Sequence, residues 1–438
     1  MVTFNDLLSV TPFVLLLTMI ATGPVLYPHF WHRYYEFIAP LLGVLVMGYY
    51  LFIKHEVAIP VEAVVDYVQF IALIGALYIA SSGILIDINL QASPLANLCF
   101  LWFGAVLSNV IGTTGASMLL IRPYIRLNRR KTKAYHIIFF IFMVSNVGGA
   151  LTAIADPPNF IGFLKGVPFF WTLRHNWMPW LVALSLLSVI FFVIDSRCSA
   201  PQEPAKDKAA PTGWLQLEGK RNIGWLFVVI TAVFIDPNLF EQVPYLPYHG
   251  HKISFLREII LLIVAYMAHH KADRKILEAN GFSLDPLREV VFIFLGIFGT
   301  MQPALTLIEK LAQSPQGREY ITPNLLYWLT GSLSSVLDNA PTYFNFLTAG
   351  MATKGLEVNK VVDVTTYAKE AVEYLKATSI SAVFFGAMTY VGNGPNFMVR
   401  SIAVEKKIKM PSFGGYIMRY SLPFLLPVLV VVWALFFY

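Results

Sequence analysis

The chain has 438 residues, of which 57% are hydrophobic and only 13% are charged, whereas soluble domains are about 25% charged. Its mean hydropathy is +0.62, and this excess of apolar side chains excludes a soluble enzyme of two or three domains. Several uncharged runs reach roughly 20 residues, the length that crosses a bilayer as a helix. The formal net charge of +6 does not indicate a nucleic acid partner, because Lys and Arg in such a chain mark cytoplasmic loops. The composition predicts an all-α polytopic membrane protein.

Ten apolar runs predict membrane spans, and they fall into two sets of five. The first set lies at 11–28, 37–53, 64–86, 134–163 and 177–195, and the second at 222–236, 255–268, 289–309, 377–400 and 417–437. Between the third and fourth run of each set lies one further apolar stretch, at 95–121 and 323–352, with small polar residues at its middle. If each stretch folds there, its arms of about 13 residues, roughly 20 Å of helix, are too short to cross. We therefore predict two re-entrant helical hairpins.

A charged, proline-containing linker at 197–221 divides the chain into a first half, 1–196, and a second half, 222–438. Each half contains about five transmembrane helices and one hairpin, so an odd number of crossings predicts two inverted repeats. With the N-terminus outside, the predicted cytoplasmic segments hold 19 Lys and Arg against 10 in the outer segments. This bias favours a topology with both termini outside and the linker in the cytoplasm.

Two of the predicted spans contain residues that interrupt a helix. The run 134–163 holds Asp156-Pro157-Pro158-Asn159, and the run 377–400 holds Asn393-Gly394-Pro395-Asn396. A proline inside a span is tolerated where the opened helix lines a protein cavity, because its backbone groups must be satisfied there. We predict two helices broken near the midplane, which is how many secondary transporters build their sites. The alternative is that these segments are ordinary turns at the membrane interface.

Asp156 and Asp338 are the strongest candidates for ion binding, one in the first broken helix and one at the middle of the second hairpin. A carboxylate at this depth costs a few kcal/mol and usually pairs, binds an ion or titrates. Burial favours the protonated form of a carboxyl group, whereas a bound cation favours the charged form. A proton and Na⁺ can therefore compete for the same oxygens. The alternative for each residue is that it caps the N-terminus of a half-helix.

Neutral oxygens cluster at the same four interruptions and suit a hard cation. The candidate ion- or substrate-binding residues are Asn109, Thr113, Thr114, Ser145, Asn146, Asn159, Asn339, Asn393 and Asn396. The alternative for any one of them is a hydrogen bond between helices or a helix cap. No metalloprotease motif or nucleotide-binding loop is present in the sequence, so we expect no enzymatic activity, and no cofactor other than Na⁺ as transported or coupling ion.

Three motifs resemble those of the ion transporter superfamily. They are NVIGTTGASML at 109–119, SNVGGA at 145–150 leading to DPP at 156–158, and DNAP at 338–341. The pattern is most similar to NhaD-type sodium/proton antiporters and to sequences labelled as citrate transporters, and it resembles the arsenite permease-like and divalent anion/sodium symporter families more distantly. The segment 393–396 departs from the antiporter pattern and is more similar to the symporter branch. The resemblance implies a homodimer in which a hairpin-bearing transport domain moves past a fixed scaffold.

The sequence thus favours a Na⁺/H⁺ antiporter that works by alternating access in a bacterial-type cytoplasmic membrane. In this interpretation Asp156 and Asp338 bind Na⁺ or protons in turn. The alternative is a Na⁺- or H⁺-coupled transporter of citrate or a dicarboxylate. No Arg or Lys lies inside either predicted hairpin, so a carboxylate substrate would depend on helix N-termini and small polar residues. A channel or a membrane-embedded enzyme is a more distant alternative.

Overall fold

The fold is almost entirely helical, which confirms the predicted class. The computed structural model describes residues 4–88, 92–128, 132–198, 215–237, 240, 242–248 and 251–438. The helices of the first half are α1 (Phe4–Leu26), α2 (Pro28–Gly48), α3 (Ala58–Ser82), α4 (Pro94–Leu127), α5 (Ala134–Met143), α6 (Pro157–Lys165) and α7 (Trp171–Cys198). Those of the second half are α8 (Lys220–Ala232), α9 (Leu256–His270), α10 (Arg274–Ala279), α11 (Asp285–Thr300), α12 (Gln302–Ala312), α13 (Pro315–Tyr320), α14 (Pro323–Ser334), α15 (Asn339–Thr353), α16 (Val361–Glu370), α17 (Val372–Phe385), α18 (Gly394–Glu405), α19 (Phe413–Tyr416) and α20 (Leu426–Phe436).

Short segments of other structure join or extend these helices. Two π-helical segments, Tyr49–Ile53 and Ile417–Leu425, extend α2 and lead into α20, and two 3₁₀ turns lie at Val147–Ala150 and Gly386–Met388. The strands are β1 (Leu85–Ile88), β2 (Leu215–Glu218), β3 (Leu246–Tyr248) and β4 (His251–Ile253). They form two antiparallel pairs, with Leu85 opposite Glu218 in one and Leu246 opposite Ile253 in the other. The first pair joins the end of α3 to the described end of the predicted linker.

Several helices are long and apolar enough to cross a membrane. Within the described residues there are six such helices, or seven if α11 and α12 form one bent span. The predicted span at 289–309 corresponds to α11 and α12, which meet at a bend of 47°. Pro303, in the first turn of α12, lacks the N–H that would continue the helical hydrogen bonds. The helices α8 and α9 have 13 and 15 residues, and the broken helices are also shorter than a full span. Helix length alone therefore identifies fewer than the ten predicted spans.

The helix α4 folds back on itself at Gly112 and forms the first predicted hairpin. Gly112 has φ 80° and ψ 154°, a conformation that is essentially restricted to glycine. The rings of Phe100 and Tyr124 stack with centroids 5.1 Å apart, although a straight helix would separate them by about 36 Å. The Asn97 amide also donates a hydrogen bond of 3.0 Å to Asn128. The hairpin is longer than the predicted 95–121, because its second arm continues to Leu127.

The second predicted hairpin consists of α14 and α15, and its bounds agree closely with the predicted 323–352. The two helices are separated by residues 335–338, and a side chain added at Gly350 would meet Leu326 at 3.5 Å. Thr322 caps α14 by accepting a hydrogen bond of 3.2 Å from the Leu325 N–H. Asp338 caps α15 in the same way. Each cap satisfies a backbone donor that the first turn of a helix leaves unpaired.

Both predicted broken helices are present. The first consists of α5 and α6, separated by residues 144–156, and the second of α17 and α18, separated by residues 386–393. Every residue from Tyr135 to Met143 in α5 is buried, so α5 lies inside the protein and has no face for lipid. Prolines occupy the first turns of both α6 and α18, where a missing N–H costs nothing.

The helices pack in two groups. The hairpin group comprises the two hairpins, the two broken helices, α7 and α20. The flanking group comprises α1, α2, α3, α8, α9, α11 and α12, and it meets the hairpin group where α3 contacts α4 and where α12 contacts α15. Within the flanking group α2 crosses α11 closely, since a side chain added at Gly43 would lie 3.1 Å from the Leu295 carbonyl oxygen. Small residues at such crossings let two helix backbones approach.

The two halves share one local hydrogen-bonding pattern. The Asn159 amide donates to the Gly149 carbonyl at 3.4 Å, and the Asn396 amide donates to the Gly386 carbonyl at 2.8 Å, each bond spanning ten residues. The asparagine that follows a proline, Asn159 in one half and Asn396 in the other, therefore has the same role in both broken helices. The opposite orientation of the halves stays a prediction. Residues 199–214, most of the predicted linker at 197–221, lie outside the described residues.

We expect both ends of the first hairpin to face the cytoplasm and both ends of the second to face outside. Single cysteines at Ser93, Lys133, Thr322 and Gly355 test this with a membrane-impermeant thiol reagent in intact cells. Cys99 and Cys198 are both exposed and must first be changed to serine. Only the cysteines at Thr322 and Gly355 should react from outside. Reaction of the two ends of one hairpin from opposite sides would contradict the hairpin topology.

Candidate functional site

The four interruptions predicted from the sequence meet at one place. The Thr113 N–H, at the tip of the first hairpin, donates to the Ala155 carbonyl of the first broken helix at 2.7 Å. Asn339, at the tip of the second hairpin, and Asn393, in the second broken helix, each donate to Asp156. Segments that lie more than 200 residues apart in sequence, such as 156 and 393, therefore share one buried cluster. We call it the Asp156 cluster: Thr113, Asp156, Asn339 and Asn393.

The donors that hold Asp156 in the described part of the chain are all neutral. Its side chain is 2% exposed, and it accepts hydrogen bonds from the Thr113 hydroxyl at 2.6 Å, from the Asn393 amide at 3.0 Å and from the Asn339 amide. No basic side chain among the described residues forms an ion pair with it. A carboxylate offers about four lone-pair positions, so three donors leave room for one more partner.

The amide oxygen of Asn339 has no hydrogen-bond partner among the described residues, although Asn339 is fully buried. It belongs to the same amide group that donates to Asp156, so an unpaired oxygen acceptor lies one amide group away from the carboxylate. Leaving a buried acceptor unsatisfied costs about 1–3 kcal/mol. A cation, or a hydrogen-bond donor placed beside both oxygens, would remove that cost.

Four helices begin at this place. The second arm of α4 starts after Gly112, α6 starts after Asp156, α15 after Asp338 and α18 after Asn393. A helix N-terminus presents unpaired N–H groups and about half a positive charge. The four ends stabilise negative charge, which is one reason why a carboxylate can be buried here without a Lys or Arg partner.

Asp338 lies near this cluster but does not hydrogen-bond to Asp156. One of its oxygens accepts the Ala340 N–H at 3.0 Å, which is the capping geometry that the sequence left open as an alternative. The same side chain lines a cavity of about 50 Å³ together with Thr114, Pro157 and Asn393. The cap uses only one of its carboxylate oxygens, and the assignment of Asp338 as an ion ligand stays a prediction.

Three of the predicted site residues join the two broken helices to each other. The Asn146 amide donates to Asn396 Oδ1 at 2.7 Å, and Asn146 Oδ1 lies 3.2 Å from the Asn393 amide nitrogen. Asn393 also lies 3.1 Å from the Ser145 carbonyl oxygen. These amides satisfy backbone and side-chain groups that the helix breaks expose. The side-chain oxygens of Asn146 and Asn396 are engaged, as in the alternative that assigned these residues to hydrogen bonds between helices.

The remaining predicted ligands lie around the breaks rather than at Asp156. Asn109 donates to the Gly148 carbonyl at 2.7 Å and accepts from the Leu151 N–H at 2.9 Å. Asn159 Oδ1 accepts from the Ser379 hydroxyl, and the hydroxyls of Ser145 and Ser117 lie 2.7 Å apart. These contacts hold the first broken helix in its opened form. The structure thus brings Asp156, Thr113, Asn339 and Asn393 together and places the other amides in a supporting layer.

A wide vestibule leads towards this region, and its charged lining could not be foreseen from the sequence. Its volume is about 590 Å³, and its ionisable residues include Arg122, Glu289, His32, Asp285 and Glu405. Because the second arm of the hairpin continues to Leu127, Arg122 lies inside the hairpin, and the expectation that no Arg or Lys does so is wrong. Glu289 belongs to a run predicted only as a membrane span. Its proximity to the site depends on α11 packing beside the hairpins, which one sequence cannot show.

Comparison with known families agrees with this architecture. A family model described as "Putative citrate transport" matches residues 3–437. The chain belongs to this family. The match covers both hairpins and both broken helices, and it confirms the resemblance to transporters of the ion transporter superfamily. No curated protein matches the chain.

Family membership and the long apolar helices establish the broad class. The chain is an integral, multi-pass membrane protein of a transporter family. This agrees with the expectation that it carries a solute across a membrane rather than catalysing a reaction. The Asp156 cluster, at the meeting point of the interrupted helices, is the candidate transport site of this family member.

The tip of the first hairpin should depend on glycine at position 112. We expect Gly112→Ala to destabilise the protein by more than about 1–2 kcal/mol, because its φ of 80° disfavours a Cβ and the Ile154 carbonyl oxygen lies 3.4 Å from that position. The melting temperature of the purified protein in detergent measures this. Gly224→Ala is the matched control, since Gly224 lies in α8 with nothing within 4 Å and alanine favours helix. Equal melting temperatures for the two variants would contradict the assignment of Gly112 as the turn.

Proposed function

We propose that this protein is a Na⁺/H⁺ antiporter in which Asp156 and Asp338 bind Na⁺ and protons alternately. The observation that supports it most is the Asp156 cluster, where a buried carboxylate has only neutral donors and an unpaired amide oxygen beside it. A buried ionisable group in a membrane protein marks an ion pathway or a proton site by default. Here the opened helices and four helix N-termini surround it, as in secondary transporters.

Competition between Na⁺ and a proton follows from the amide oxygen of Asn339, which has no hydrogen-bond partner among the described residues. A Na⁺ ion beside Asp156 would take both the carboxylate oxygen and Asn339 Oδ1 as ligands, which are the hard oxygen donors it prefers. A proton on Asp156 would supply a donor for the same Asn339 oxygen after a small rotation of the carboxyl group. Each ion satisfies the cluster and excludes the other. This is the requirement for exchange at one site.

We infer that ions reach the site from the vestibule, which is linked to it through the residues around Glu289 and Asp338. On the topology favoured by the Lys and Arg bias, the vestibule opens to the cytoplasm, because Arg122 lies at the cytoplasmic end of the first hairpin. We infer that the opposite state arises when the hairpin group moves against the flanking group, and that two copies of the chain form a homodimer around the flanking group. A bacterial-type cytoplasmic membrane fits this topology.

A coupled citrate or dicarboxylate transporter is the second candidate. The description of the family favours it, and so do four helix N-termini that attract negative charge and the guanidinium of Arg122 in the vestibule. In that case Na⁺ or a proton at Asp156 would be the coupling ion, and the small carboxylate would bind beside it.

Reconstituted vesicles distinguish the two functions. Vesicles loaded with a pH-sensitive dye should release or take up protons when a Na⁺ gradient is imposed in the absence of citrate. The same vesicles are then tested for uptake of labelled citrate with and without Na⁺. Proton movement driven by Na⁺ alone supports the antiporter. If the vesicles take up citrate but show no Na⁺-driven proton movement when citrate is absent, the antiporter proposal fails. The protein would then be the coupled carboxylate transporter.

Asp156→Asn and Asp338→Asn should each abolish Na⁺-driven proton movement while the protein still folds. Asparagine keeps the shape and one oxygen but removes the charge. A lost cation interaction worth about 3 kcal/mol corresponds to roughly a hundredfold weaker binding. Na⁺ binding measured by calorimetry should also lose its dependence on pH, because competition requires a group that changes charge.

Asp273→Asn is the matched control for the capping alternative. Asp273 caps α10 by accepting the Lys275 N–H at 2.9 Å, as Asp338 caps α15 by accepting the Ala340 N–H at 3.0 Å. Asparagine caps a helix about as well as aspartate, so Asp273→Asn should transport normally. If Asp338→Asn behaves like this control, Asp338 is only a cap. Near-normal exchange by both purified, monodisperse site variants would contradict the antiporter mechanism.

A further inference from the structure

We propose that Glu289 and Asp338 form a second cation site, occupied by a hydrated monovalent cation on its way between the vestibule and the Asp156 cluster. The inference rests on the proposed function and concerns a cavity of about 100 Å³ next to the vestibule. That volume holds several water molecules. We call this space the inner cavity: it is lined by Trp31, Glu289, Asp338, Asn393 and mostly apolar side chains.

The inner cavity adjoins the vestibule through a shared wall. Pro286, Glu289, Phe397 and Met398 line both spaces. Of these four residues only Glu289 can carry a charge. The inner cavity also shares Asp338 and Asn393 with the small cavity beside Thr114 and Pro157. A cation that leaves the vestibule for the site would therefore pass Glu289 first and Asp338 second.

Glu289 has no protein partner that would explain a carboxylate in this apolar wall. It makes no hydrogen bond or ion pair with any residue in the described part of the chain, whereas its neighbour Arg288 binds Glu36 of α2 at 2.7 Å. No Lys, Arg or His in the described part of the chain lines the inner cavity. Two carboxylates that face one small cavity without a basic side chain attract cations and repel anions.

Trp31 gives independent evidence for a polar occupant. Its side chain is fully buried and lines the inner cavity, yet its indole Nε1–H has no hydrogen-bond partner within the part of the chain that the structure describes. A buried indole N–H usually finds an acceptor. A bare cation cannot accept this bond, but the oxygen of a water molecule bound to the cation can. Trp31, with its unpaired donor, lines the same cavity as two carboxylates, and this set of residues fits a cation that keeps part of its hydration shell.

The two carboxylates belong to different helix groups. Glu289 lies on α11 of the flanking group and Asp338 lies at the tip of the second hairpin. If the hairpin group moves during transport, Asp338 travels with the site and Glu289 stays behind. Glu289 would then assist cation binding from the vestibule side alone. This sidedness separates a specific role of Glu289 from a general loss of structure.

The test compares Glu289→Gln with Glu36→Gln in reconstituted vesicles of known orientation. Glu36 is the matched control, because it lies on the same α2–α11 contact but pairs with Arg288 instead of lining the inner cavity. Glu289→Gln should raise the Na⁺ concentration for half-maximal exchange about tenfold when Na⁺ is added on the vestibule side. The maximal rate, and the half-maximal concentration from the opposite side, should stay near the wild-type values. Glu289→Asp should recover most of the affinity.

Tryptophan fluorescence of the purified protein measures the same site without transport. NaCl, but not choline chloride, should change the emission, and both Trp31→Phe and Glu289→Gln should remove that change. If Glu289→Gln and the wild type show the same Na⁺ dependence, both in flux and in fluorescence, the proposal of a second site is overturned. If the wild type moves no protons with Na⁺, the proposed function fails. In that case, a Na⁺-induced fluorescence change that requires Glu289 would still support the cation site. If no such fluorescence change occurs, the cation site is overturned.

Discussion

The structure depends on one constraint, which is that every backbone polar group inside a bilayer needs a partner within the protein. Four segments of this chain break or reverse a helix at depth, and each break exposes N–H and C=O groups. Asparagine side chains satisfy them: Asn109 bridges the Gly148 carbonyl and the Leu151 N–H, and Asn396 donates to the Gly386 and Thr389 carbonyls. Most polar residues that look like ion ligands in the sequence therefore stabilise the breaks in the helices by hydrogen-bonding the exposed backbone groups.

This constraint also determines how much the sequence could predict. Small polar residues and prolines are costly inside an apolar run unless the helix opens there, so both hairpins and both broken helices could be located without a structure. The pairing of those segments could not, because a bond such as that between Asn393 and Asp156 joins residues 237 positions apart. Glu289 was missed for the same reason. The bend at Met301 could have been suspected from Pro303, but a single proline also fits a gently kinked span.

The balance of charge at the Asp156 cluster decides which ions fit. Four helix N-termini contribute roughly two positive charges in total, and Asp156 and Asp338 contribute two negative ones. With both carboxylates ionised, the Asp156 cluster and the neighbouring Asp338 are together close to neutral, and they would become positive on binding a proton or Na⁺. In the antiporter, the transported cation would compete with a single proton for this region. In the carboxylate transporter, the positive charge left after the cation binds would attract the substrate. Both proposed functions would begin with the same step, the binding of a cation beside Asp156.

The halves of the protein contribute to this balance in a crossed arrangement. Asp156 and Asn393 occupy matching places, each directly before a proline-containing half-helix, with Asn159 and Asn396 three residues further on. The first half thus carries its carboxylate in the broken helix and the second half carries its own at the hairpin tip. Asp156 takes its donors from Thr113 of its own half and from Asn339 and Asn393 of the other. Because the carboxylate of one half is held by amides of the other, any movement that separates the two hairpins would break these hydrogen bonds and expose Asp156.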